Sequence, residues 1–539
     1  MYLNRFVIQA LMILTVFHVS AQPVIVPAPL QPEIREQYVQ EALRLRALGD
    51  YAGAIRQIDT ILWHQHEDAP ILLLKGDIQL QSSLYRQAVE TYKQLLPLEY
   101  KKTISQINLS YALFKSHKPE KALRFAYAAL ANDSTNVNAI VNYFNSLLWN
   151  IKTKEAGNFL EQYAHTLSPD QRLVLQARLL TTSGDFARGL QYYDTLVTTY
   201  PDKYYVQEYA DVLLGKKDIQ QATKTLNDGK HFFSASEVDD FNRKLKFAQL
   251  QQAGTEFIYF KDIGKNIRIE NSLWWQQKDG QEYCFGVKSG ISSLSSPENQ
   301  KTSTQFAHLH IDERWSKSFS GQTDLHVQRI QPGNSQSFIG ITGKQLIQYQ
   351  PNDRRMVSLF YESEVLNYTA SLLERNIRSH GIGYVTHVLV GGKTGFYSHG
   401  SMAMLTDNNK RYQFFGSLYR LIRTLPTLKT GVDFSSLHFR DTSIQSYFSP
   451  DQYLNLEVFA EYSTPVPGLN RFELQVQGAT GMQKIEHQPW ESAWRLQADL
   501  GYHAPHFYST IRYQTSNVAS GTGTGYQFDW LTFRLAWKW

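Results

Sequence analysis

His308, His310 and Asp312 recur at every second position, with His326 further on, and imidazole and carboxylate groups gathered on one face are metal ligands in principle. An interval of two, however, is what the pleat imposes on any strand, and no second motif completes a ligand set. No metal and no other cofactor is expected. His399, Ser401 and His438 offer a hydroxyl and two bases for acyl transfer at a membrane interface, yet nothing in their context singles them out. Gly521, Gly523 and Gly525 form the densest glycine cluster but stand between strands rather than ahead of a helix, the wrong setting for a phosphate cradle. No catalytic residue is expected. What remains is a set of residues at alternating positions: Asp324, Asp433, Glu457, Phe459, Glu461, Glu473, Arg495, Asp499, Trp530, Arg534 and Lys538. On the inner face of a closed barrel they would line a wet pore with hydrogen-bonding groups and aromatic platforms. Acids outnumber bases in the set, a bias that suits a neutral or partly cationic solute.

The elements that must position these residues are strands. Leu531, Phe533, Leu535, Trp537 and Trp539 share one face of the last strand, and Thr532, Arg534, Ala536 and Lys538 the other. A lipid-ready face that finishes on an aromatic is the pattern of a terminal outer-membrane strand, with Phe533, Trp537 and Trp539 as its assembly signal to the barrel-assembly machinery. Leu454 to Tyr462 and Trp494 to Leu500 alternate in the same way.

The opposite end agrees. A single early positive charge, an apolar stretch from Phe6 to Val19 and the small-residue site Val19-Ser20-Ala21 read as a secretory signal over residues 1–21. No later segment approaches 18 consecutive apolar residues, so any span must be made of strands. Mean hydropathy is low (−0.38) because half of each barrel strand faces a polar lumen, while 32 Tyr, 29 Phe and 10 Trp suit aromatic girdles in contact with outer-membrane lipid. A net charge of +5 is small for 539 residues and points to no nucleic-acid partner. The single Cys284 excludes an internal disulfide framework and lies too far from the signal site for a lipidated N-terminus.

Between signal and barrel the chain repeats. Tyr51-x-x-Ala54, Tyr85-x-x-Ala88, Pro119-x-x-Ala122 and Thr153-x-x-Ala156 follow one another at 34 residues, then Phe186-x-x-Gly189 and Ile219-x-x-Ala222 at 33. That period belongs to the tetratricopeptide repeat, whose small residue lets paired helices approach closely. Leu48-Gly49-Asp50-Tyr51 and Ser183-Gly184-Asp185-Phe186 read as turns within a pair, and Tyr200-Pro201 as a break between units. About six repeats and a closing helix fill residues 33–253, a binding surface for a protein segment rather than a catalytic scaffold. Trp63, His64, His66, Tyr143, Phe144 and Trp149 are candidate groove residues.

From residue 255 to 539 the period becomes two. Counting back from Trp539, longer polar connections alternate with shorter ones, and a turn at Lys278-Asp279-Gly280 completes about 16 strands; 12 or 14 stay open. The expected fold is therefore an all-α repeat domain followed by a transmembrane antiparallel β-barrel.

Tyr447-Phe448-Ser449-Pro450-Asp451-Gln452-Tyr453 precedes one barrel strand. This Tyr-Phe-Ser-Pro-x-x-Tyr pattern resembles the C-terminal barrels of exopolysaccharide exporters: the cellulose-export subunit of the BcsC type, the poly-N-acetylglucosamine porin PgaA and the smaller YaiO-like barrels. The resemblance implies periplasmic repeats joined to an outer-membrane pore that exports a polysaccharide, the repeats recruiting a synthesis or modification protein. It does not carry the identity of the polymer, because the cellulose exporters have many more repeats. Read from the residues alone, Ser449-Pro450 turns the chain into a strand while Tyr447 and Tyr453 sit at the membrane interface. Two further functions stay open: a secretion or assembly scaffold on a plugged barrel anchor, and a barrel enzyme acting on lipid or glycan.

Overall fold

The computed structural model describes residue 28 and residues 30–539, except 278–281, 298, 334, 391, 445, 467, 470 and 519–526. The expected signal segment, the Lys278-Asp279-Gly280 turn and the Gly521, Gly523 and Gly525 cluster lie outside the described residues.

Helices come in pairs at the expected period. In chain order they are α1 (Pro32–Ala47), α2 (Tyr51–His64), α3 (Ala69–Gln81), α4 (Tyr85–Leu95), α5 (Lys102–Lys115), α6 (Pro119–Asn132), α7 (Val137–Trp149), α8 (Thr153–Tyr163), α9 (Pro169–Thr182), α10 (Phe186–Thr199), α11 (Lys203–Gly215) and α12 (Ile219–Asp228), closed by α13 (Ala235–Ala248). The small residue of each repeat is what lets the pair close. Ala54, Ala88, Ala122, Ala156 and Ala222 are wholly buried, and a Cβ at Gly189 would meet Thr181 at 2.6 Å. Gly49 and Gly184 take positive φ (80° and 86°) at the turns between paired helices, and Asp50 and Asp185 then cap the next helix by accepting from the Gly53 and Arg188 amides.

Contacts divide the chain into two compact units, one ending at Ser116 and one beginning at His117. The first holds α1–α5, where the Tyr92 hydroxyl donates to Asp77 at 2.5 Å and Asn108 donates to the same carboxylate at 2.9 Å. The second holds α6–α13 together with the whole barrel. The change from helix to strand falls between Ala248 and Gln252, while the units part within the repeats.

The barrel consists of 16 antiparallel strands, each paired with its sequence neighbours and closed by β1 (Gln252–Asp262) on β16 (Phe528–Lys538). Alternation decides the faces. On β12 (Tyr453–Pro465), Leu456 and Val458 are 49% and 58% exposed on the outer face, whereas Glu457 between them is 3% exposed on the inner one. Ile341, Leu359, Ile382, Val432 and Ile511 continue the outer apolar belt on other strands. No helix among the described residues is long and apolar enough to cross a membrane; the strands, 10 to 15 residues each, are long enough to cross when tilted.

Connections at the end where β1 begins are short, and helices of the second unit dock there. Arg354, in the turn between β6 (Phe338–Asn352) and β7 (Arg355–Val365), donates its Nε–H to the Ser183 carbonyl, and its neighbour Asp353 pairs with Lys216. Thr424, at the end of β10 (Lys410–Thr424), donates to the Trp149 carbonyl at 3.2 Å. Among the described pairings the register shifts at two places, Tyr349/Asn352 and Leu421/Arg423, both beside these docking turns. Bulges re-aim side chains, here toward the helices.

Candidate functional site

The inward faces bring the expected residues to one lumen. On β5 (Phe319–Pro332), Asp324 accepts from His308 at 3.1 Å and His310 at 2.7 Å, both on β4 (Lys301–Arg314). His308 also stacks on His326 with ring centroids 3.9 Å apart. Among the described residues no group of three or more His, Cys, Asp or Glu is placed to hold a metal. Arg495 of β14 (Glu491–Ala504) spans Asp433 on β11 (Thr427–Phe439) and Glu457, the latter at 3.2 Å. Lys429 pairs with Glu461, Arg512 with Asp499 at 2.5 Å, and the Arg534 guanidinium lies 3.9 Å over the Trp274 ring. Trp530 meets Phe260 edge-on at 5.4 Å, and Lys538 lies 5.3 Å over the Tyr508 ring. Glu473 sits at the helix-side rim, where Ser463 donates to it at 3.0 Å.

The expected acidic lining is therefore not a row of free carboxylates. Period two assigns Asp433 and Glu457 to a face; which cations face them depends on register across two or three strands, and Arg495 comes from two strands beyond Glu457.

Phe459 lies flat against Gly431, where a Cβ would meet its ring at 2.7 Å, and Tyr419 lies in the same way against Gly395, at 2.2 Å. The pleat separates the nominated acyl-transfer residues. His399 and Ser401 take the inner face of β9 (Thr394–Leu405), whereas His438 takes the outer face of β11 and bonds the Asp451 carbonyl. They form no triad.

At the end away from the helices, two connections fold into the barrel mouth. Residues 366–377, between β7 and β8 (Arg378–Val390), carry the short helix α14 (Ala370–Glu374). Leu366, Leu372 and Ile377 join Leu405, Leu437, Phe439 and Ile485 in one apolar cluster, while Ala370 and Leu373 join Leu294 and Ile330 in another. The Ala370 amide donates to Ser296 at 2.9 Å, and Thr302 donates to the Ala370 carbonyl at 3.4 Å. The second connection, residues 440–452, contains the Tyr-Phe-Ser-Pro motif.

That motif corrects the interfacial reading of its tyrosines. Tyr447 and Tyr453 are 4% and 3% exposed, inside the mouth and away from the lipid belt. Tyr447 packs on Phe439 at 5.6 Å, Phe448 packs on Tyr453 at 6.0 Å, the Tyr453 hydroxyl donates to Gln483 at 3.1 Å and Ser449 donates to the Ile444 carbonyl at 2.8 Å. Burial and the neighbouring Asp407 carboxylate hold the Tyr447 hydroxyl protonated far above its ordinary range. Pro450 still ends the loop as expected, its carbonyl accepting from the Phe439 amide.

Among the groove candidates on the helices, Phe144 is wholly buried and belongs to the core, whereas Trp63 is 64% exposed. Tyr143 falls in an aromatic file with Tyr127 (5.8 Å) and Phe159 (4.9 Å), which sequence spacing alone does not reveal. Its outermost member, Tyr127, is exposed.

A closed 16-strand antiparallel barrel with an apolar belt and a polar, charged lumen defines a transmembrane β-barrel of the outer-membrane class, here preceded by helix pairs of the tetratricopeptide kind. No family model and no curated protein matches the chain. Among solved structures it is similar to a bacterial polysaccharide outer membrane secretin, with 10% identity over 54% of this chain and 99% of that one and a TM-score of 0.44. Pseudomonas aeruginosa OccK5 (OpdH) is 10% identical over 54% of this chain and 97% of that one, with a TM-score of 0.31. A thermophilic TPR protein of Thermus thermophilus is 19% identical over 33% of this chain and 99% of that one, with a TM-score of 0.29.

Proposed function

We propose that this chain is an outer-membrane conduit for export of a polysaccharide, with its helical repeats in the periplasm recruiting a protein of polymer synthesis or modification. The observation that carries the proposal is a lumen lined by polar groups and flat aromatic rings, with connecting loops rather than strands packed into one mouth. Loops can withdraw without opening the sheet, whereas a strand cannot. A polar chain crossing a bilayer needs such a lining, because it must exchange water for hydrogen bonds without binding tightly anywhere. The loop-bearing mouth faces the cell exterior in this reading, and the aromatic file at Tyr127 and Tyr143 is where a periplasmic segment docks. Chemistry on the polymer is left to that partner; the chain itself is not an enzyme. The test is the amount of cell-surface polysaccharide in a strain lacking the chain and in the same strain complemented with it.

The apolar packing of residues 366–377 favours a second reading, in which the barrel is permanently plugged and serves as an anchor for a repeat scaffold. Ion conductance of the unaltered chain in planar bilayers separates the two: a conduit with movable loops shows openings, and a permanently plugged anchor stays silent.

A further inference from the structure

The lumen holds a cavity of about 400 Å³ lined by Tyr397, Phe415, Tyr419, Phe459, Lys429 and Arg495, among others. We propose that this cavity is a binding site for one segment of an uncharged, hydroxyl-rich glycan, an inference that rests on the export reading and specifies its cargo.

The aromatic wall is built rather than incidental. Tyr419 and Phe459 each lie opposite a glycine on the neighbouring strand, Gly395 and Gly431, so their rings rest on the barrel wall where any larger side chain would lift them. His387 shares a 2.7 Å hydrogen bond with the Tyr419 hydroxyl and anchors the tip of that ring, while Tyr397 meets Phe415 edge-on at 5.9 Å. Flat rings take the apolar faces of pyranose rings, and their edges leave the equatorial hydroxyls free to bond elsewhere.

Charge placement then selects among glycans. Arg495 is 32% exposed, but the carboxylates it covers, Asp433 and Glu457, are 5% and 3% exposed; Lys429 is 28% exposed against 18% for Glu461. A solute therefore touches guanidinium and ammonium donors first, so a cationic glycan meets like charge at contact. Both cations are already paired with carboxylates of the wall, Lys429 with Glu461 and Arg495 with Asp433 and Glu457, so an acidic glycan meets no unpaired cation and gains little for the hydration it gives up. Hydroxyl oxygens accept from Arg495 and Lys429 without disturbing either pair. Asp433 lines the cavity, and one of its carboxylate oxygens is buried without a hydrogen-bond partner.

The experiment is calorimetric titration of the purified full chain in detergent with hexasaccharides: three uncharged (cello-, malto- and mannohexaose), one acidic (hexagalacturonate) and one cationic (chitosan hexamer). At least one uncharged probe binds, the two charged probes bind at least tenfold more weakly, and both Tyr419→Leu and Lys429→Met weaken the uncharged probe at least tenfold while retaining heat-modifiable mobility. Tighter binding of a charged probe, no binding of any uncharged one, or unchanged affinity in both folded variants overturns the site. Failure here with surface polymer still lost on deletion leaves the export reading intact; binding here with polymer unaffected by deletion overturns that reading instead.

Discussion

The Tyr447 hydroxyl donates to an Asp407 carboxylate oxygen at 2.8 Å and accepts from the Asn409 side chain at 3.0 Å, tying the 440–452 loop to the turn between β9 and β10. Asn409 is itself 1% exposed and donates to the Asp441 carbonyl at 2.9 Å, so one small polar network holds the loop in the mouth.

Tyr447→Phe keeps the ring and removes the two hydrogen bonds of its hydroxyl, while Asn409 keeps its bonds to Asp441. Losing the hydroxyl's bonds to Asp407 and to the buried Asn409 amide costs about 1–3 kcal/mol, a penalty confined to the loop because the strands keep their ladders. The barrel should fold normally while protease cleavage within 440–452 rises at least fivefold. Unchanged cleavage would show that the loop is retained without the Tyr447 hydroxyl.

Arg495→Met removes the cation between two buried carboxylates. Stranding Asp433 and Glu457 costs about 3–5 kcal/mol if they stay dry, and less in proportion as lumenal water reaches them. The variant should unfold at distinctly lower denaturant than wild type, and adding Asp433→Asn and Glu457→Gln should restore much of the loss. A triple variant no more stable than the single one would mean that the guanidinium acts through packing rather than charge.

These two predictions mark how far the sequence is legible. Six helix pairs, a barrel of about 16 strands and the sidedness of Glu457 or Leu456 follow from periodicity, because a period of 34, 3.6 or two is a property of nearby residues; the exact strand count does not. The Arg495 bridge, the seating of Tyr447 at Asp407 and Asn409 and the docking of Arg354 on Ser183 join residues separated by 38 to 171 positions, and no local pattern encodes them. The repeat-to-barrel contact was hidden for a further reason: short turns such as Asp353-Arg354 look like plain hairpin connections until a helix surface is set against them.

Asp353→Ala with Arg354→Ala tests that docking. Both partners of the Lys216 pair are about one-third exposed, so the pair and the carbonyl bond together contribute about 1 kcal/mol after solvent screening. The barrel should insert unchanged, and hydrogen exchange in α9 to α11 should rise several-fold. Equal exchange would place the docking energy in the other turns.

Glu237 caps α13 through Ser234 and pairs with Lys203 at 2.6 Å; that pairing, with the Ser234 hydrogen bonds, lowers its pKa from 4.5 to about 2. A depressed folded pKa stabilises above the unfolded value and is lost as pH falls through the folded one. Amides of the first turn of α13 should therefore lose protection between about pH 4.5 and 2. In Glu237→Gln they should start less protected and show no such step. A step of equal size in the variant would assign it to another group.

Trp539 pairs its backbone with Gln251 at the barrel seam and exposes 56% of its surface on the outer side. Trp539→Asp places a charge on the lipid side of the closing strand. The folded fraction in the outer membrane should fall sharply, and normal heat-modifiable mobility would contradict a role in assembly.

The central claim is that polymer leaves through a mouth closed by movable loops, and a reversible lock tests it most directly. Ser296 and Ala370 meet across the mouth at 2.9 Å. In cells whose only copy carries Ser296→Cys and Ala370→Cys, with Cys284→Ser to leave no other thiol, surface polysaccharide should fall to the level of the deletion strain under oxidising conditions and recover on adding a reductant. Equal polymer in the oxidised and reduced states, with the disulfide shown to be formed, would contradict the account.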